Sequence, residues 1–96
     1  MRLTHLQRQV IRDCSLRYFG VPPRLFGSRL DDSKRGGDID LYIETKLPKE
    51  AAFQSEIRMA AELHRLLGER KIDLVVKSGL EDLPIHLIAR EQGVWL

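Results

Sequence analysis

The sequence predicts a small α+β domain, and three observations indicate this fold class. Three segments space their apolar residues as helices do, two segments alternate apolar and polar residues as strands do, and 96 residues suffice for one core. The predicted order along the chain is helix, strand, strand, helix, strand, helix. The simplest arrangement of such a series is a small mixed α/β sheet with helices packed on one face, in a single domain spanning residues 1–96.

The first predicted helix covers residues 4–19. Thr4 followed by Gln7 fits a capping box at its start, and Gly20 with the two prolines after Val21 ends it. Its apolar residues recur at helical spacing along one side: Leu3, Leu6, Val10, Ile11 and Cys14.

Three segments read as strands. The sequence RLF at residues 24–26 is short and leads into a Gly-Ser turn, and SKRGG at residues 33–37 has the composition of a loop. The sequence DIDLYIE at residues 38–44 alternates, so that Asp38, Asp40, Tyr42 and Glu44 share the side opposite the apolar residues. The sequence KIDLVVK at residues 71–77 alternates in the same way and carries Asp73 among its outward residues.

Two further helices complete the predicted fold. The longer one spans residues 49–67 and is closed by Gly68, and the shorter one begins at Pro84 and runs to Gly93. The chain then ends on the apolar sequence VWL. Trp95 in this segment is predicted either to close the core or to contact a partner.

Composition excludes several classes of protein. The chain has 16 Lys plus Arg against 14 Asp plus Glu, a formal net charge of +2, so no strong direct nucleic-acid binding is expected. Cys14 is the single cysteine, which rules out an intramolecular disulfide. No apolar run approaches the ~20 residues of a membrane span, and residues 1–14 lack the apolar centre of a signal peptide. We therefore expect a cytoplasmic protein with no membrane contact.

The carboxylates suggest a metal site. Asp38 and Asp40 are residues i and i+2 of one strand, so their side chains project to the same side about 6.6 Å apart. Oxygen ligands of this kind suit Mg²⁺, which keeps waters and substrate phosphates in its other positions. Asp73 joins them if its strand lies beside theirs.

The Gly-Ser turn adds a phosphate site. Gly27 allows close approach of the backbone to a ligand, and Ser28 adds a hydroxyl beside exposed N–H groups. Arg29, Lys34 and Arg35 supply positive charge for a polyphosphate. A phosphate cradle next to paired carboxylates is the equipment for phosphoryl or nucleotidyl transfer.

These motifs together resemble the minimal nucleotidyltransferases of the DNA polymerase β-type superfamily. That family combines Gly-Ser, a loop of similar length, Asp-x-Asp on a strand and a third Asp on a later strand; here nine residues separate Ser28 from Asp38. The resemblance implies the small nucleotidyltransferase-fold sheet and ATP as substrate. It also implies that Asp38, Asp40 and Asp73 hold two Mg²⁺ ions about 3.5–4 Å apart. Gly27, Ser28 and Arg29 would then hold the β- and γ-phosphates.

The resemblance also implies a partner. Among the smallest members, the chain is similar to the antitoxins of HEPN/MNT toxin–antitoxin modules. This similarity implies transfer of AMP from ATP to a hydroxyl of a helical HEPN-type ribonuclease toxin in a hetero-oligomer, with a tyrosine as the implied acceptor. The alternative is a non-catalytic module that neutralises its partner by occlusion. Transfer to a small molecule would normally require an added helical acceptor domain.

Overall fold

The computed structural model describes residues 3–27, 39–68 and 71–96, and it confirms the α+β class. Three helices and four strands follow one another as α1 (His5–Phe19), β1 (Arg24–Phe26), β2 (Ile39–Glu44), α2 (Lys49–Leu67), β3 (Ile72–Lys77), α3 (Pro84–Gln92) and β4 (Val94–Trp95). The strands form one sheet in the order β3-β2-β1-β4.

The sheet is mixed. β2 and β3 run parallel, connected by α2, with Asp40 opposite Asp73 and Leu41 opposite Leu74. β1 is antiparallel to both of its neighbours, β2 and β4. The parallel pair therefore occupies one half of the sheet and the short antiparallel strands the other.

The ends of α1 are those that the sequence predicts. The Thr4 side chain accepts a hydrogen bond from the Gln7 backbone N–H, and the Gln7 side chain accepts one from the Thr4 N–H, which completes a capping box. At the other end Gly20 adopts φ 73° and donates its N–H to the Leu16 carbonyl oxygen. A left-handed glycine of this kind is a common way to end a helix.

The first face of the sheet packs against α1 and α2. The inward residues of β1 and β2 are completely buried, those of β3 are partly buried, and they meet apolar side chains from both helices in one cluster. The main contributors are Leu25, Ile39, Leu41 and Ile43 from the strands, Ile11, Cys14 and Phe19 from α1, and Ala52, Met59 and Leu63 from α2. This cluster is the hydrophobic core that the alternating strand pattern predicts.

The second face differs from the expectation, because α3 lies on it. Ala89 of α3 packs with Phe26, Tyr42 and Val75, whose side chains point away from the first core. Tyr42, placed by the sequence pattern among the outward residues, is only 1% exposed. Helices thus pack on both faces, and the reason is that the second face mixes apolar residues with its carboxylates and α3 buries the apolar part.

The end of the chain forms a strand that the sequence analysis missed. Residues 94–95 pair with β1, with Val94 opposite Leu25 and Trp95 opposite Arg24. Leu96 is buried in the first core, whereas Trp95 remains 55% exposed. Core closure is therefore achieved by Leu96 and not by Trp95. In the described part of the chain, none of the helices has the length and apolarity required to cross a membrane.

Candidate functional site

Three of the six predicted site residues lie in the described part of the structure. Gly27 follows β1, Asp40 lies near the start of β2 and Asp73 near the start of β3. The other three, Ser28, Arg29 and Asp38, lie outside the described residues.

Asp40 and Asp73 are brought together by the sheet. They are paired residues of neighbouring parallel strands, so their side chains project from the same face with backbones about 4.8 Å apart. Asp40 is half-buried and Asp73 is exposed. The condition set by the sequence, that the Asp73 strand lie beside the Asp40 strand on the same face, is met.

Gly27 lies against the Asp40 carboxylate. Its φ of 81° is in the left-handed region that favours glycine. A Cβ atom at this position would overlap Oδ2 of Asp40, so a larger residue would have to displace the carboxylate. The backbone after β1 therefore lies against this carboxylate, and the Gly27–Asp40 contact links the two halves of the predicted motif.

Phe26 is adjacent to both residues of this contact. It is opposite Asp40 in the β1–β2 register and directly precedes Gly27. Its side chain is 6% exposed and packs with Tyr42 and Ala89. The packing of α3 on the second face therefore extends to Phe26, which is adjacent to both Gly27 and Asp40.

A network of charged and polar side chains connects α3 to the sheet at the ends of β2 and β3, away from Asp40 and Asp73. Nε of Arg90 donates to Oε1 of Glu44 at 2.6 Å, and one terminal nitrogen donates to Oδ1 of Asp82 at 2.7 Å. The Tyr42 hydroxyl donates to the same Glu44 oxygen at 2.7 Å. Lys77 forms an ion pair with Asp82 at 3.0 Å. This network joins the ends of β2 and β3 to α3.

The network shifts the pKa values of its members. Hydrogen bonds from Arg90 and Lys77 lower the pKa of Asp82 to about 2. Burial raises the pKa of Glu44, but hydrogen bonds from Tyr42 and Arg90 outweigh it, so that the pKa is lowered overall. Hydrogen bonds to Asp82 and Glu44 in turn raise the pKa of Arg90. All three groups are therefore charged at neutral pH.

Sequence reasoning did not identify this network. Tyr42 and Glu44 belong to an alternating strand, and Asp82 and Arg90 stand in a loop and a short helix with no motif that links them. The i and i+2 spacing of Tyr42 and Glu44 on one strand side is the only signal, and it does not reveal a partner on α3.

The donor set at Asp40 and Asp73 fits a hard cation such as Mg²⁺, because both side chains offer carboxylate oxygens on one face. Among residues 3–27, 39–68 and 71–96, no three His, Cys, Asp or Glu side chains form a group that could hold a metal ion. A complete site of three carboxylates would thus need Asp38, which precedes β2 directly.

A comparison of this chain with protein-family models, with curated proteins and with solved structures found no match.

Proposed function

We propose that this protein is a Mg²⁺-dependent nucleotidyltransferase that moves AMP from ATP to a hydroxyl of a partner protein. The observation that carries the proposal is the arrangement of Asp40 and Asp73 in register on neighbouring parallel strands, with Gly27 against Asp40. Three residues of the predicted motif, Gly27, Asp40 and Asp73, thus lie close to one another at the start of β2 and β3. A chain that used the aspartates only to end turns would have no reason to align them across strands.

Each residue has a role in this proposal. The paired carboxylates Asp38 and Asp40, with Asp73 as the third, would hold the metal, which when bound stabilises charge on phosphate oxygens as a Lewis acid. Gly27, Ser28 and Arg29 would bind the phosphate oxygens through backbone N–H, hydroxyl and guanidinium groups. The acceptor would approach from the open side of Asp73, which is exposed.

The reaction balances as an in-line displacement. The acceptor hydroxyl oxygen forms a bond to the α-phosphorus of ATP, and the bond from that phosphorus to the α–β bridging oxygen breaks. Pyrophosphate leaves with the electron pair, and the Asp73 carboxylate accepts the hydroxyl proton. Positioning and electrostatics account for most catalysis of this kind.

The partner proposed from the resemblance is a HEPN-type helical ribonuclease toxin, with tyrosine as the acceptor and the present chain as antitoxin. The test is to mix the purified chain with a separately purified candidate toxin, ATP and Mg²⁺ and to measure the mass of the toxin. We expect a gain of one adenylyl group, and inactivity that persists after the chain is removed. If the toxin is inhibited but its mass is unchanged, the proposed transferase activity is wrong.

A second function, neutralisation by occlusion alone, is favoured by the exposed apolar side chains near the end of the chain. Leu80 is 99% exposed, and further large apolar residues are exposed between residues 80 and 96: Leu83, Leu87, Val94 and Trp95. Exposed apolar side chains of this kind are available to contact a partner. The Asp38→Asn, Asp40→Asn double variant separates the two functions, because an occluding binder keeps its full protective effect without the carboxylates.

A further inference from the structure

A cleft of about 550 Å³ lies at the β4 edge of the sheet. The outer surface of α1 contributes His5, Arg8, Gln9, Arg12 and Asp13 to its lining, and the end of the chain contributes Trp95 and Leu96. Trp95 is in register with Arg24 and projects from the second face, as Asp40 and Asp73 do, but β1 lies between β4 and the strands of these carboxylates, and neither carboxylate lines the cleft. The cleft is therefore separate from the candidate transferase site.

The α1 wall of the cleft carries two arginines side by side. Arg8 and Arg12 are residues i and i+4 of one helix, so they are neighbours on its surface, and their like charges repel. Nη1 of Arg12 donates to the Leu96 carbonyl oxygen at 3.1 Å, which leaves other N–H groups of its guanidinium for a ligand. Asp13 is the acidic residue among those that line the cleft, and its charge offsets one of the two arginine charges. A phosphate would relieve the repulsion between the arginines.

Trp95 adds an aromatic surface. The Arg24 guanidinium lies over its ring, with Cζ 4.0 Å from the centroid, yet the residue is still 55% exposed. An indole supported by a stacked cation and open to solvent is the kind of surface on which nucleobases stack.

From these two walls we infer that the cleft binds a nucleotide unit, with the phosphate on Arg8 and Arg12 and the base on Trp95. An acidic peptide would use the arginines but would have no need of the aromatic ring. The formal net charge of +2 agrees with a local site of a few cations and with binding that is moderate and sensitive to salt. The unit comes either from a single-stranded nucleic acid or from a free mononucleotide.

Trp95 is the only tryptophan of the chain, so its fluorescence reports on the cleft directly. The protein is titrated with a single-stranded oligonucleotide of about eight nucleotides, with AMP and with polyglutamate. We expect quenching by the oligonucleotide or by AMP and none by polyglutamate. Tighter binding of the oligonucleotide assigns the cleft to a strand, and equal binding per site assigns it to a mononucleotide.

Variants locate the binding. The Arg8→Gln, Arg12→Gln double variant should bind about 10-fold more weakly and lose about 0.7 from the slope of log affinity against log salt, the contribution of one neutralised phosphate. Arg58→Gln on the exposed side of α2 is the matched control and should bind as the parent does. Trp95→Ala, measured by anisotropy of a labelled oligonucleotide, should also weaken binding about 10-fold.

Asp40→Asn is the control for the other site, since it disturbs the proposed transferase and leaves the cleft intact. Its affinity for the oligonucleotide should be unchanged, and this result stands whether or not the chain is a transferase. The inference is overturned if polyglutamate competes as well as the oligonucleotide. It is also overturned if the double arginine variant and Arg58→Gln bind equally, or if binding is lost in Asp40→Asn.

Discussion

The two faces of the sheet are made by the same strands but have different compositions. On the first face, β2 presents Ile39, Leu41 and Ile43, all completely buried against two helices. On the second face, the alternate residues of β2 are Asp40, Tyr42 and Glu44. There one short helix covers Tyr42, an ion-pair network surrounds Glu44, and Asp40 remains beside an exposed carboxylate. A strand of period two can thus contribute to stability with one side and to chemistry with the other.

The largest effect should come from the first face. Leu41→Ala removes a completely buried side chain at the centre of the core, and we expect the free energy of unfolding to fall by about 2–5 kcal/mol. Urea titration followed by circular dichroism measures it. Leu80→Ala, at a side chain that is 99% exposed, is the control and should change stability by less than about 0.5 kcal/mol. Equal effects of the two variants would contradict the assignment of the core.

On the second face, replacing a carboxylate should reduce activity and leave stability largely unchanged. Asp40→Asn keeps the shape of the side chain and removes the charge that Mg²⁺ needs, so transfer of AMP should fall by at least about 100-fold. The protein should stay folded, because one of two neighbouring carboxylates is lost and their repulsion falls.

Labelled ATP and the purified partner provide the assay for Asp40→Asn, and the same loss is expected for Asp73→Asn. Glu91→Gln, which removes an exposed carboxylate from α3, is the matched control and should keep full activity. Undiminished transfer by Asp40→Asn would exclude this carboxylate as a metal ligand.

Gly27 at the candidate site can be compared with Gly20, which ends α1. Gly20 and Gly27 have similar positive φ values of 73° and 81°, so an alanine at either costs about 1–2 kcal/mol in backbone strain. A Cβ at Gly20 meets nothing within 4 Å, whereas a Cβ at Gly27 collides with the Asp40 carboxylate. Gly27→Ala should therefore cost more stability than Gly20→Ala and should alone reduce transfer. Identical stability and activity in the two variants would show that the Gly27–Asp40 contact is unimportant.

The smallest effect concerns the network behind the carboxylates. Asp82 has its pKa lowered from 3.8 to about 2, so its stabilising contribution is complete above about pH 4 and is lost as the pH falls toward 2. Urea midpoints of the parent chain and of Asp82→Asn, measured from about pH 6 to about pH 2, should differ at the upper end and converge at the lower end. A difference that persists unchanged at about pH 2 would show that charge at Asp82 is not its source.

Much of the fold follows from local signals. The Thr4–Gln7 capping box, the glycines after α1 and α2, and Pro84 at the start of α3 each act within a few residues, so the sequence shows them directly. The same is true of the alternation in β2 and β3. β4 escaped prediction because two residues are too few for a period to be visible, and its pairing with β1 depends on contacts distant in sequence.

The candidate site divides in the same way. The sequence by itself determined which residue types were available, namely Gly27, Asp40 and Asp73, and on which side of each strand the aspartates lie. Only the tertiary structure decided that β3 pairs with β2 in the register that sets Asp73 opposite Asp40, and that the Gly27 backbone meets the Asp40 carboxylate. It also decided that α3 covers Tyr42, through Arg90, Glu44 and Asp82. The physical reason is that periodicity and capping are local, whereas register and helix placement are selected by the burial and charge pairing of residues far apart in the chain.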